Sequence, residues 1–441
     1  MNKLAIFMGF VFFEIVVEIG FKLKTLIVTG LSVKNVLLYG LLLVLIVNIF
    51  SGKKWEINNA HKNVNKLYIA IVIYSIFSLS FHIMLGQSAY DVFAGALSLK
   101  SELIDSLVCF IVFSYFIKQL DDAINISRFM VLVIGLASFM TVVDAASASI
   151  NFFGYDDFNR RTNGAMGEPN QTAAVIALYF PMAVVLSLIK GKFRLVFIGT
   201  SMVMAAALLS TGSRGGMLAS LLGVLYAFFL MRKELSVGRK FFIISSVVFG
   251  AIIVWIMIPD YYKESLIGRF SFLNESKVNW KNATAGRSFL WSNAYDLWLE
   301  SPIIGQGWHA FKIIVNMASH NTFVEYAVSL GVAGLTMYLF LWAKIHKFIS
   351  NAKKYTENRD QNLMLYGFQG GIVSIMIAVF FVNLYRPWYV VWPFIGVGMA
   401  YANHLRLNKL NGDDHKSEVE ELKVSSNERV SKKSFENVRL R

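Results

Sequence analysis

From about residue 4 to about residue 405 the sequence is a succession of apolar runs. Each run is roughly 17 to 25 residues long, the length a helix needs to cross a hydrocarbon layer roughly 30 Å thick. Backbone placed in hydrocarbon must satisfy its own N–H and C=O groups, so a chain patterned in this way folds as membrane helices. With 56% of its 441 residues apolar and 16% charged, it has too few charges to surface a set of soluble domains.

About twelve spans are expected, starting near Leu4, Val36, Leu67, Leu103, Phe129, Thr172, Phe193, Gly216, Phe241, Thr322, Met364 and Tyr389. The fold class is therefore all-α, a polytopic integral membrane protein. One large outward loop, about residues 259–320, separates helices 9 and 10. Glu14 and Glu18 interrupt the first run and no small-residue cleavage site follows, so this run is read as an uncleaved span. The two glutamates lie one helical turn apart, hence on one face directed into the bundle, where a structural role outweighs a catalytic one.

The basic segments fix the orientation. With the N-terminus inside, SGKKWEINNAHKNVNK, IKGKFR, MRKELSVGRK and AKIHKFISNAKKYTENR all face the cytoplasm. An even number of spans returns the C-terminus to the same side, where 406–441 reads as a disordered tail. The net charge of +14 follows from this bias and from attraction to anionic headgroups, so no nucleic-acid partner is needed. The single cysteine, Cys109, falls in a span and reads as packing.

Candidate chemistry collects in the outward loops. NFFGYDDFNRRTNGAMGEPNQ brings Arg160, Arg161, Glu168 and Asn170 to a helix entrance. Asn170 or Thr172 is expected to cap that helix, Asn170 having a ligand contact as its second reading, and Glu168 suits the helix dipole. Paired arginines suit phosphate or sugar acids, although loop arginines are often only solvated. In STGSRGG, Ser210 to Gly216 make a tight break, Ser213 reads as a turn former, and Arg214 opens the following helix. A guanidinium beside free helix amides is suited to hold phosphate, and this reading is preferred to snorkelling.

Within the long loop, Arg287 begins a helix whose stripe of Trp291, Ala294, Tyr295 and Trp298 suits packing or the membrane interface rather than sugar stacking. Pro302 ends that helix and Gly305 and Gly307 make the next turn. His320 and Asn321 then open the tenth span, with Glu325 a turn further on. Imidazole is suited to accept a proton near neutral pH. Apart from Asp156 and Asp157 the outer loops lack an acidic cluster spaced for a hard cation, and no cofactor or metal is expected. Ser210 and Ser213 have no visible His and Asp partners for nucleophilic catalysis.

Four segments taken in order, RTNGAMGEPN, TGSRGG, GRSFLW leading to PIIGQGWHAF, and HNTFVEYAVSLGVAG, resemble the O-antigen ligase and O-antigen polymerase superfamily over about Arg161 to Gly334. The resemblance implies a metal-independent glycosyltransferase of the bacterial inner membrane with its active face periplasmic. Its donor would be an undecaprenyl-diphosphate-linked glycan and its acceptor lipid A-core or another glycan. It further implies that Arg214 and Arg287 clasp the diphosphate and that His320 activates the acceptor hydroxyl. Arg160, Arg161, Asn170, Ser213 and Asn321 are the further substrate-binding candidates. The expected activity is that of a ligase, with a repeat-unit polymerase as the alternative. A glycolipid flippase, the third possibility, would put broken helices near the midplane, whereas these candidates lie at one surface.

Overall fold

The computed structural model describes residues 3–21, 26–28, 31–52, 59–84, 91–147, 150–156, 161–234, 287–385 and 387–410, with isolated positions between 236 and 267. The expected ninth span from Phe241, most of the expected loop, Arg160 and the tail beyond 410 lie outside the described residues.

Apolar runs without internal helix breakers become helices, and the described chain is all-α apart from two short ribbons. The helices are α1 (Lys3–Gly20), α2 (Val33–Phe50), α3 (Asn59–Met84), α4 (Val92–Leu99), α5 (Asp105–Tyr115), α6 (Leu120–Ala146), α7 (Pro169–Leu186), α8 (Arg194–Thr211), α9 (Arg214–Leu230), α10 (Arg287–Glu300), α11 (Ala310–Val315), α12 (Thr322–Asn351) and α13 (Arg359–Ala378). A last helix, α14, covers 388–410. A π-turn over Lys100–Ile104 joins α4 to α5. The ribbons pair β1 (Leu26–Val28) with β2 (Leu31–Ser32), and β3 (Tyr155–Asp156) with β4 (Arg161–Thr162), both antiparallel.

Among the described residues, seven helical segments are long and apolar enough to span a membrane. Their burial separates centre from periphery. α7 is 89% buried and packs on α8, α9 and α13, so it forms the axis of the bundle. On α2 only 22% is buried, and Leu43, Val44, Val47 and Ile49 turn outward. An outward apolar face is what lipid contact requires. Glu18, one of the two acids in the first run, is buried and ion-paired with Lys34 at the entrance to α2. That pairing agrees with the structural reading of this face.

α12 carries the sharpest constraint. At Gly331 its backbone leaves the helical region (φ 65°, ψ −170°), which frees carbonyl groups of the preceding turn. The chain after α10 crosses there and uses them. Gln306 N donates to Val328 O at 2.7 Å, Gly307 N to Ser329 O at 3.1 Å, and Val332 N to Pro302 O at 2.9 Å. The crossing is backbone on backbone. A Cβ on Gly331 would sit 2.1 Å from the Ile303 carbonyl oxygen, and one on Gly305 would sit 2.3 Å from the Leu330 nitrogen. Both glycines also have positive φ, which an L side chain rarely adopts.

Gly305→Ala and Gly331→Ala are each expected to cost more than about 1 kcal/mol and to lower the melting temperature in detergent by several degrees. Gly40→Ala is the control, because nothing lies within 4 Å of a Cβ added there. Thermal unfolding of the three purified variants checks this. Equal melting temperatures would remove the backbone crossing as a constraint.

Candidate active site

Four helices begin at the same end of the bundle, and each start carries one of the expected residues. At α7, Pro169 occupies the first turn, where its missing N–H costs nothing. The cap is Glu168, which accepts from Gln171 N at 2.9 Å. This corrects the expectation that Asn170 or Thr172 caps the helix. Thr172 instead donates to Asn163 O (2.7 Å) and accepts from Met166 N (3.0 Å), closing the preceding loop. Asn170 bridges two charged neighbours. Its Nδ2 donates to Glu168 Oε1 at 2.7 Å, and its Oδ1 accepts from Arg161 at 3.4 Å. Arg161 also lies 3.8 Å from Glu168.

At α9, Gly212 ends α8 in the left-handed region and Ser213 caps the new helix, accepting from Gly216 N at 3.3 Å. Arg214 is the first helical residue. Close packing brings it inward, since a Cβ on Gly216 would be 2.4 Å from Ala173 Cβ of α7. The side-chain oxygen of Ser213 is therefore engaged as a cap.

α10 and α12 are tied together. Arg287 opens α10, and one turn later Trp291 donates from Nε1 to Ser319 O at 3.0 Å. Ser319 adjoins His320, which takes left-handed backbone angles (φ 53°) before Asn321 caps α12 by accepting from Phe323 N and Val324 N. The buried side of this turn is held by polar contacts. Ser319 Oγ lies 3.1 Å from Glu325 Oε2, and Asn383 Nδ2 donates to both Glu325 Oε2 (3.0 Å) and Ser319 Oγ (2.9 Å).

The stretch 379–385 lies beneath all four starts. Thr322 N donates to Val379 O at 2.8 Å, Tyr385 N donates to Gln171 Oε1 at 3.4 Å, Phe380 meets Trp291 edge-on, and Phe381 abuts Gly215.

Electrostatics shows that the charged residues share one small space. Burial holds the Arg287 guanidinium below its usual range, and the positive charges of Arg214 and Arg161 act in the same direction against Glu168. Burial likewise lowers the His320 imidazole from its ordinary value of 6.5, with Arg287 and Arg161 adding to the effect and Glu168 opposing it. Arg214, Glu168 and Arg161 all act on Arg287, while Arg287, Glu168 and Arg161 act on His320, and Arg161 lies 3.8 Å from Glu168. The result is a concentration of positive charge around a neutral imidazole, an arrangement able to attract an anion and accept a proton.

Three contributors escaped the sequence reading. Glu168 was placed by its dipole but not as the cap that also meets Arg161. Asn383 carried no motif, and its partners are 58 and 64 residues away. His309, between α10 and α12, is buried 3.5 Å from Glu102 on the π-turn, and burial pushes its imidazole down to about 3.

Residues 199–339 match the sequence model of the family described as O-antigen ligase. Arg214, Arg287 and His320 all fall inside this stretch. Over this stretch the chain is similar to the O-antigen ligase family. A curated relative is the exopolysaccharide production protein ExoQ of Rhizobium meliloti (strain 1021), 25% identical over 252 residues. The match spans 52% of this chain and 55% of that protein, about half of each. Arg161, Asn170 and Asn383 lie outside the stretch matched by the family model, and of these Asn383 bonds Ser319 and Glu325 within it.

The lowered His320 value gives a direct check. Modification by diethylpyrocarbonate, read as the rate at the His320 peptide against pH, is expected to have a midpoint below the ordinary value of about 6.5. Arg287→Gln removes a positive neighbour that disfavours protonation, so the midpoint moves to higher pH. An unchanged midpoint would mean that the two side chains are not neighbours.

Proposed function

We propose that this protein transfers a glycan from an undecaprenyl-diphosphate carrier to an acceptor hydroxyl at the periplasmic face of the bacterial inner membrane. What supports the reading is that Arg214, Arg287 and His320 stand at the starts of three helices at one end of the bundle, with Arg287 and Arg161 acting electrostatically on His320. In the reaction, the bond between the anomeric carbon and the phosphate oxygen breaks, and a bond to the acceptor oxygen forms. The leaving diphosphate keeps the bonding electron pair. Arg214 and Arg287 hold it in forked hydrogen bonds, stabilising charge as it develops. The acceptor proton passes to His320, whose neutral form is favoured by burial and by the neighbouring arginines. Arg161, oriented by Glu168 and Asn170, provides further positive potential. Fixed guanidinium charge fills the role that a divalent metal often has in diphosphate chemistry, so chelators leave the rate unchanged in this reading.

Two acceptors have support. The family's description as a ligase favours lipid A-core. Likeness to an exopolysaccharide production protein favours a second lipid-linked glycan, which would make the chain a polymerase.

The test is a proteoliposome assay with purified lipid-linked glycan, offering lipid A-core and a second lipid-linked glycan as competing acceptors. His320→Ala is expected to lose about a hundredfold or more in rate while still inserting. Arg214→Lys and Arg287→Lys are each expected to lose about tenfold or more, because a point charge lacks the fork. Wild-type rates in all three variants would overturn the reading. Product confined to lipid A-core would exclude the polymerase, and product confined to lengthened lipid-linked glycan would exclude the ligase.

A further inference from the structure

At the opposite end of the bundle from the proposed active site, three helices line a half-open cavity of about 320 Å³. α12 starts beside the active site at Thr322 and reaches this cavity at Lys344, roughly 33 Å along its axis at about 1.5 Å per residue. The positive-inside pattern assigns this end to the cytoplasm.

The floor is apolar and buried, formed by Val64 of α3, Phe348 and Ala352 at the end of α12, and Ala402 of α14. The rim is cationic. Lys344, Lys347 and Lys354 recur three, then seven residues apart, close to the helical repeat, so they share the face of α12 and its following turn that lines the cavity. Arg406 reaches in from α14, its guanidinium 5.8 Å from the centre of the Tyr355 ring. Among the described residues no aspartate or glutamate lines the cavity, and none of these four cations forms a salt bridge. The first turn of α3, with Ala60 and Asn63 in the lining, adds a helix N-terminus, which also favours an anion.

We propose that this cavity binds the phosphate-bearing headgroup of an anionic membrane lipid, with the phosphate at the lysine rim and the glycerol and upper acyl carbons against the apolar floor. The volume falls in the range of small-molecule sites. The position at a helix end is the depth at which basic clusters recognise anionic headgroups. The chemistry read there is a phosphodiester anion attached to an apolar body, and this binding does not depend on what the active site transfers.

Native mass spectrometry of the full-length protein in detergent, titrated with phosphatidylglycerol and with phosphatidylcholine, tests the proposal. Wild type is expected to retain phosphatidylglycerol about tenfold more tightly than phosphatidylcholine. A triple variant, Lys344→Gln, Lys347→Gln and Lys354→Gln, is expected to lose that preference, and the matching lysine-to-arginine triple variant to keep it. Both triple variants are expected to unfold at the wild-type melting temperature in detergent, which shows that they fold. Equal phosphatidylglycerol retention by wild type and the glutamine variant would overturn the proposal and leave the lysines as helix-end charges. Displacement of phosphatidylglycerol by millimolar inorganic phosphate would overturn the lipid assignment in favour of a free anion.

Discussion

Ser319 is bonded on both sides, and the end of the bundle that carries the candidate site depends on it. Its carbonyl accepts from Trp291, which fixes the start of α10 and with it Arg287. Its hydroxyl is held by Glu325 and Asn383, which fixes the start of α12. His320, the next residue, sits in left-handed backbone geometry that costs an L residue roughly 1 kcal/mol. It remains there because its neighbours on either side, Ser319 and Asn321, are anchored by buried hydrogen bonds.

Gathering three arginines is unfavourable in an empty site, because their charges repel and each is partly desolvated. Such an arrangement persists when the surrounding structure enforces it. Here the enforcement comes from the capped starts of α7, α9 and α12 and from the segment 379–385 on which they rest. Glu168 has two roles, capping α7 and opposing the positive charge beside it. The candidate site residues thus sit at helix starts, where backbone amides add to the positive potential that the arginines supply.

Much of this was legible in the sequence. Apolar run lengths locate the helices, and the motifs around Arg214, Arg287 and His320 fall at helix starts, which have local signatures. What was not legible depended on distance along the chain. Asn383 meets Glu325 and Ser319 only after α12 and α13 have folded back together, and no local pattern announces it. The helix cap at α7 was assigned two or four residues too late, at Asn170 or Thr172, because an acidic residue before proline was read as a dipole effect alone. The Gly331 break lay hidden inside an apolar run, where glycine is common and a left-handed kink leaves no periodic trace.

The central claim is that Arg214 and Arg287 hold one ligand together. Affinity for undecaprenyl diphosphate, measured for wild type, Arg214→Lys, Arg287→Lys and the double variant, addresses it most directly. If both side chains clasp the same diphosphate, the losses are not additive, and the cycle gives a coupling of at least about 0.5 kcal/mol. Losses that add to within about 0.3 kcal/mol, or no loss in either single variant, would contradict a shared site.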